Sequence, residues 1–128
     1  MNPSDPQESS GVGEPALSQV FVVVRAYNEA PVIHDVVAPL CERFDRIIVV
    51  DDGSTDATAA CLRGLKVTLI RHCVNLGGGA ALQTGITYAL NKGAEWILTF
   101  DADGQHRIDD ALALLKSLQS GDCDVVFG

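Results

Sequence analysis

Hydrophobic residues in this chain gather in short unbroken runs, each cut off by a polar cluster. Val20-Phe21-Val22-Val23-Val24, Arg46-Ile47-Ile48-Val49-Val50, residues 66–71 and residues 96–100 are such runs. They are β-branched and do not alternate, the pattern of strands buried on both faces. The segments between them follow a helical period instead. Asn28 can cap a helix with Pro31 in its first turn and Val32, Ile33, Val36, Val37 and Leu40 as its inner stripe. Ser54 or Thr55 can cap a short helix closed by Gly64. After the third run comes a helix with Leu82, Ile86, Ala89 and Leu90 on one side, stopped by Gly93. A helix over 109–118 would bury Leu112, Leu115 and Leu118, and a fifth strand would begin at 124–127. Regular alternation of strand and helix predicts an α/β fold in three layers, a mostly parallel sheet with helices on both faces. Residues 1–18 carry Pro, Gly, Ser and acids without periodicity and are expected to form a disordered leader to a domain over 19–128.

The polar clusters all follow strands. Tyr27, Asn28 and Glu29 come after the first, Asp51 and Asp52 after the second, Asn75 and Gly77 to Gly79 after the third, Asp101 and Asp103 after the fourth. Each alone has a bland explanation: a turn, a flexible loop, a solvated strand end. In an open parallel sheet, however, those ends share one edge, where ligands bind. Asp101 and Asp103 are spaced i, i+2, so in an extended chain they face the same way and repel unless a cation or proton lies between them. Hard oxygen ligands favour Mg²⁺ or Mn²⁺, and Gln105 continues the parity. His106 is more commonly a solvated imidazole than a ligand. The glycines permit close backbone approach and open a helix whose first amides favour an anion. They match neither a dinucleotide fingerprint nor a Walker loop. A cation beside an anion-binding loop points to a nucleoside diphosphate.

Composition narrows the partners. The 128 residues are 47% hydrophobic with a formal charge of −8, which argues against nucleic acid. No apolar run nears the ~20 residues of a membrane span, and no basic stretch leads into an apolar one at the N-terminus. Cys41, Cys61, Cys73 and Cys123 are widely spaced, as expected of buried reduced thiols in a cytoplasmic protein.

Taken together, Val23-Val24-Arg25-Ala26-Tyr27-Asn28-Glu29, Val49 to Asp56, Asn75 to Ala81 and Phe100 to His106 resemble the successive motifs of family 2 glycosyltransferases. The dolichyl-phosphate mannose synthase-like subgroup is the nearest match. The resemblance implies a glycosyltransferase A fold with strand order 3-2-1-4 and inverting transfer from a UDP- or GDP-linked sugar to an acceptor, polyprenyl phosphate in that subgroup. By matching positions, it implies a nucleotide-binding set of Arg25, Ala26, Tyr27 and Glu29, then Val50, Asp51 and Asp52, then Gly77 and Gly79, then Asp101, Ala102 and Asp103. It gives Asp101, Asp103 and Gln105 as ligands of Mn²⁺ or Mg²⁺. Two positions depart from the pattern: relatives usually have Pro where Arg25 stands and often a basic residue where Gly78 stands.

Family members also continue well past residue 128. The resemblance places the general base, the acceptor site and, in many relatives, membrane helices in that further part, so no catalytic residue is assigned here. The expectation is a chain that binds a nucleotide sugar at the cytoplasmic face of a membrane, transfers sugar poorly alone, and associates through the apolar edge of its fourth strand. Two rival readings compete. One is a non-catalytic nucleotide-sugar-binding module. The other is a haloacid-dehalogenase-type phosphatase, for which Thr99 to Gly104 resembles the hydrophobic-D-x-D-G motif; that motif normally follows a first strand.

Overall fold

The structure, a computed structural model, describes residues 20–102. The leader, the helix over 109–118 and the fifth strand expected above lie outside those residues, as do Asp103, Gln105 and His106. The four remaining β-branched runs form one parallel sheet. They are β1 (Val20–Ala26), β2 (Arg46–Asp51), β3 (Thr68–Arg71) and β4 (Trp96–Asp101), in the order β3-β2-β1-β4. This is the expected strand order, and it puts β1 at the centre.

Strands β1, β2 and β4 alternate their side chains between two cores. Val20, Val22, Val24 and Ala26 pack with Ile33, Val37 and Leu40 of α1 (Ile33–Arg43) on one face. Phe21 and Val23 pack with Ile48, Val50, Ala81 and Ala89 under α2 (Gly78–Asn91) on the other. A sheet covered on both faces has no solvated side to carry polar residues, which is why the runs are continuous.

Several local expectations are corrected. Asn28 is not a helix cap: α1 begins at Ile33 after Val32, and the preceding turn closes through Val32 N–H and Ile33 N–H to the Glu29 carbonyl at 3.0 and 2.8 Å. The segment after β2 forms only a 3-10 turn at Ala60–Leu62, because the Ser54 and Thr55 side chains bond to the first loop instead of capping a helix. Strand β3 starts two residues later than expected, at Thr68, and its side chains are mostly exposed. In α2 the buried stripe is Ala81, Gly85 and Ala89; Leu82 is only partly covered and Leu90 is exposed. A Cβ on Gly85 would overlap the Val23 and Val50 methyls, so the helix lies flush on β1 and β2. The cysteines are free but not buried: Cys41 and Cys61 are half-buried and Cys73 is exposed, while Cys123 falls outside the described residues.

Candidate functional site

Strand register decides which polar groups meet. In β1, Arg25 lies between Val24 and Ala26, whose side chains face α1, so its own faces α2. Its partner in β4 is Asp101, and register partners in adjacent strands share a face. Ala26 pairs with Asp51, which sends Asp51 to the α1 side. Asp52, one residue on, returns to the α2 side. Only one aspartate of the pair therefore reaches the rim shared with Asp101.

That rim encloses a crevice of about 250 Å³. Tyr27 and Glu29 enter it from the loop after β1, Asp52 from β2, Asn75 and Gly77 from the approach to α2, and Asp101 from β4. Ala26, Arg25, Gly78 and Ala81 complete the wall. The structure thus gathers most of the set implied by resemblance, from all four strand ends. Four members stand elsewhere. Val50 is in the core beneath α2 and Ala102 in the core beneath α1. Asp51 is fully buried on the α1 side, accepting the Ser54 amide at 3.0 Å. Its other oxygen lies 3.3 Å from Arg71 Nε without hydrogen-bond geometry, an ion pair only. Gly79 sits in the first turn of α2 outside the lining, with open space around it. Alternation carries Asp51 and Ala102 to the α1 side, while Val50 lies two residues before Asp52 on the same face and is covered by α2.

Asp52 is occupied in holding the glycine loop. Its oxygens accept the amides of Leu76 at 2.9 Å and Gly77 at 2.8 Å, and His72 Nδ1 donates at 2.7 Å. The His72 ring is fixed from the other side by Thr84 Oγ1 of α2 at 2.9 Å. Burial pushes the Asp52 carboxyl up, but these amides and the imidazole outweigh it and hold it below the usual carboxylate range. His72 and Thr84 were not foreseen as part of this site. Their signal was weak, since neither adjoins a motif. With Gly77 spent on Asp52, the first three amides of α2, at Gly78, Gly79 and Ala80, remain without intrahelical acceptors.

The loop carrying Tyr27 and Glu29 is tied to the loop after β2. Asn28 adopts a left-handed backbone at φ 52°, which asparagine tolerates better than most residues. There its side-chain oxygen accepts the amides of Thr55 at 2.8 Å and Asp56 at 3.3 Å. In return Ser54 Oγ accepts the Asn28 amide, Thr58 Oγ1 the Glu29 amide and Asp56 Oδ2 the Ala30 amide, at 2.8, 2.9 and 3.2 Å. The Thr58 hydroxyl also donates to Asp56, which lowers the Asp56 carboxyl. Gly53 (φ +74°) lets this loop pass directly against Val74 and Asn75, where any Cβ would collide with backbone.

Asp101 is held by Arg25, Nη2 to Oδ2 at 2.6 Å. This carboxylate is partly exposed and lines the crevice, while the Asp52 oxygens on the same wall are taken by amides and the His72 ring. A carboxylate is the type of oxygen ligand a hard divalent ion takes. No three potential ligands cluster among the described residues; Asp101 is the one expected ligand among them. Arg25 also reaches across Gly78, where an added Cβ would collide with Nη1. The two departures from the family pattern touch each other. A larger hollow of about 460 Å³ lies at the opposite ends of the strands, lined by Phe21, Arg46, Lys66, Tyr88 and Lys92 among others. Its Arg46 and Lys92 stack on Phe21 and Tyr88. Parallel sheets bind ligands at the carboxyl ends of their strands, so the smaller crevice is the better candidate.

A model of glycosyl transferase family 2 matches residues 21–128. The chain belongs to this family. It is 38% identical to an uncharacterized protein of Methanocaldococcus jannaschii over 95% of its length and 51% of the relative's. It is 35% identical to the UDP-N-acetylglucosamine–dolichyl-phosphate N-acetylglucosaminyltransferase of Methanococcus voltae, covering 85% of this chain and 51% of that one. It is 31% identical to the polyprenol monophosphomannose synthase of Mycolicibacterium smegmatis, covering 95% and 51%. The chain thus spans about half the length of these curated relatives. Membership in a glycosyltransferase family leaves the phosphatase reading without support.

Proposed function

We propose that the crevice is the donor site of a metal-dependent inverting glycosyltransferase, which passes a sugar from a nucleoside diphosphate to a polyprenyl phosphate. The observation that carries this reading is the meeting of Asp101, Tyr27, Glu29 and the start of α2 in one crevice at the carboxyl ends of the strands. Tyr27 is half-exposed at the rim and offers a ring face for a nucleobase. The diphosphate would lie against the free amides of α2, and Asp52 keeps that helix start in place through Leu76 and Gly77. Asp101, with Asp103 and Gln105, would hold Mn²⁺ or Mg²⁺. Such an ion supplies neutralisation of the charge that develops on the departing nucleoside diphosphate, a contribution of several kcal/mol. The acceptor class follows the names of the relatives above.

A thermal-shift panel tests the reading. UDP, GDP and their sugars, each with and without Mn²⁺, are added to the chain, and ligands that bind only the folded form raise its Tm. A saturating nucleotide at ~100 times its Kd should add about 2.7 kcal/mol. Metal-dependent stabilisation by one of the two nucleotide classes is expected. No stabilisation by any of them would remove the donor-site assignment.

A further inference from the structure

Among the described residues lining the crevice, Arg25 is the cation. Its guanidinium has two neighbours of opposite character. One is the Asp101 carboxylate, 2.6 Å from Nη2. The other is the first residue of α2, Gly78, whose missing side chain leaves the space that Nη1 fills. The charge therefore hangs beside the three helix amides that lack intrahelical acceptors, between a carboxylate and an anion-favouring surface. Both members of the ion pair are partly solvated, Arg25 at 37% and Asp101 at 29% exposure, so the pair is weak enough to exchange.

We propose that Arg25 exchanges partners on binding: it neutralises Asp101 in the empty crevice and turns to the donor diphosphate when a divalent cation takes the carboxylate. This rests on the donor-site reading above. The exchange needs only a side-chain rotation, because the guanidinium already spans both positions. It also makes Arg25 act in opposite directions on two equilibria. Toward a divalent cation alone, Arg25 is a competitor for Asp101 and a like charge beside it. Toward cation and diphosphate together, it is a third group on the same anion, able to make charge-assisted, bidentate contacts.

The test is titration calorimetry of the 128-residue chain and its R25Q, R25K and G78A variants, with Mn²⁺ alone and with UDP or GDP at saturating Mn²⁺. R25Q should bind Mn²⁺ alone about two- to five-fold more tightly, the size of a partly exposed ion pair. The same variant should bind the nucleoside diphosphate about ten- to a hundred-fold more weakly, the size of a hydrogen bond to a charged group. R25K should fall between R25Q and the parent. G78A keeps the charge but crowds the guanidinium off the helix start, and should weaken only nucleotide binding. If the parent binds neither UDP nor GDP, the donor-site reading fails and the exchange with it. If the parent binds and R25Q shifts both equilibria the same way, or neither, the exchange alone is wrong.

Discussion

Asp52 shows how one carboxylate can set a loop. Four described groups converge on it: the Leu76 and Gly77 amides, His72 Nδ1 and, on its carbonyl, Asn75 Nδ2 at 3.3 Å. Replacing Asp52 with Asn turns one acceptor oxygen into an NH₂ group that faces another donor. At a site only 3% exposed this should cost roughly 2–4 kcal/mol, read as a lower urea midpoint. The pH dependence has a definite sign. The folded-state carboxyl titrates below its unfolded value of about 3.9, so the stability it contributes is present above that pH and is lost as pH falls through the folded value. Stability of the parent should therefore drop as pH falls below about 4, and D52N should show a shallower drop. Equal slopes would mean that Asp52 is not the responsible group. The choice of Asp52 over Asp51 was not readable in advance, because a run apolar on both faces does not say which face is which. In the structure Val49 belongs to the α1 core and Val50 to the α2 core, so alternation carries Asp51 to the first and Asp52 to the second. The role of Asn28 was not readable. Asparagine favours both helix caps and left-handed turns, and only the loop opposite, with its Ser54, Thr55 and Asp56, selects between them.

At the level of elements, the strands were legible because burial on both faces forces long β-branched runs, and the helices because their periods differ. What the pattern hid was which side of α2 faces the sheet. Large residues Leu82, Ile86 and Leu90 mark one stripe, but Ala81, Gly85 and Ala89 form the contact. The i, i+4, i+8 spacing of small residues was the available signal, since small side chains let a helix axis approach a sheet. Close approach makes Gly85 a sensitive point. Alanine favours helices over glycine by ~1 kcal/mol, yet here its methyl meets Val23 and Val50, both wholly buried and unable to move aside. Overpacking of this kind costs about 1–3 kcal/mol, so G85A should be destabilised, with a Tm lower by several degrees. A higher Tm would show that α2 can lift off the sheet at little cost.

On the scale of the whole molecule, strand order does the assembly. Placing β1 between β2 and β4 brings loops far apart in sequence to a common rim: Arg25 and Asp101 meet across 76 positions. No helix among the described residues is long and apolar enough to cross a membrane. For the proposed donor site, the hydrogen bonds that join the first loop to the second mean that the wall carrying Tyr27 and Glu29 stands built before a nucleotide arrives. Recognition should then resemble a key entering a cut lock: little ordering entropy is lost, backbone shifts stay within about 1 Å, and encounter sets the association rate. Asn28→Ala would undo that preparation. In stopped-flow binding of a fluorescent nucleotide, the variant should associate more slowly and show a saturating, conformationally limited phase that the parent lacks; identical traces would show that the lock is cut by something else.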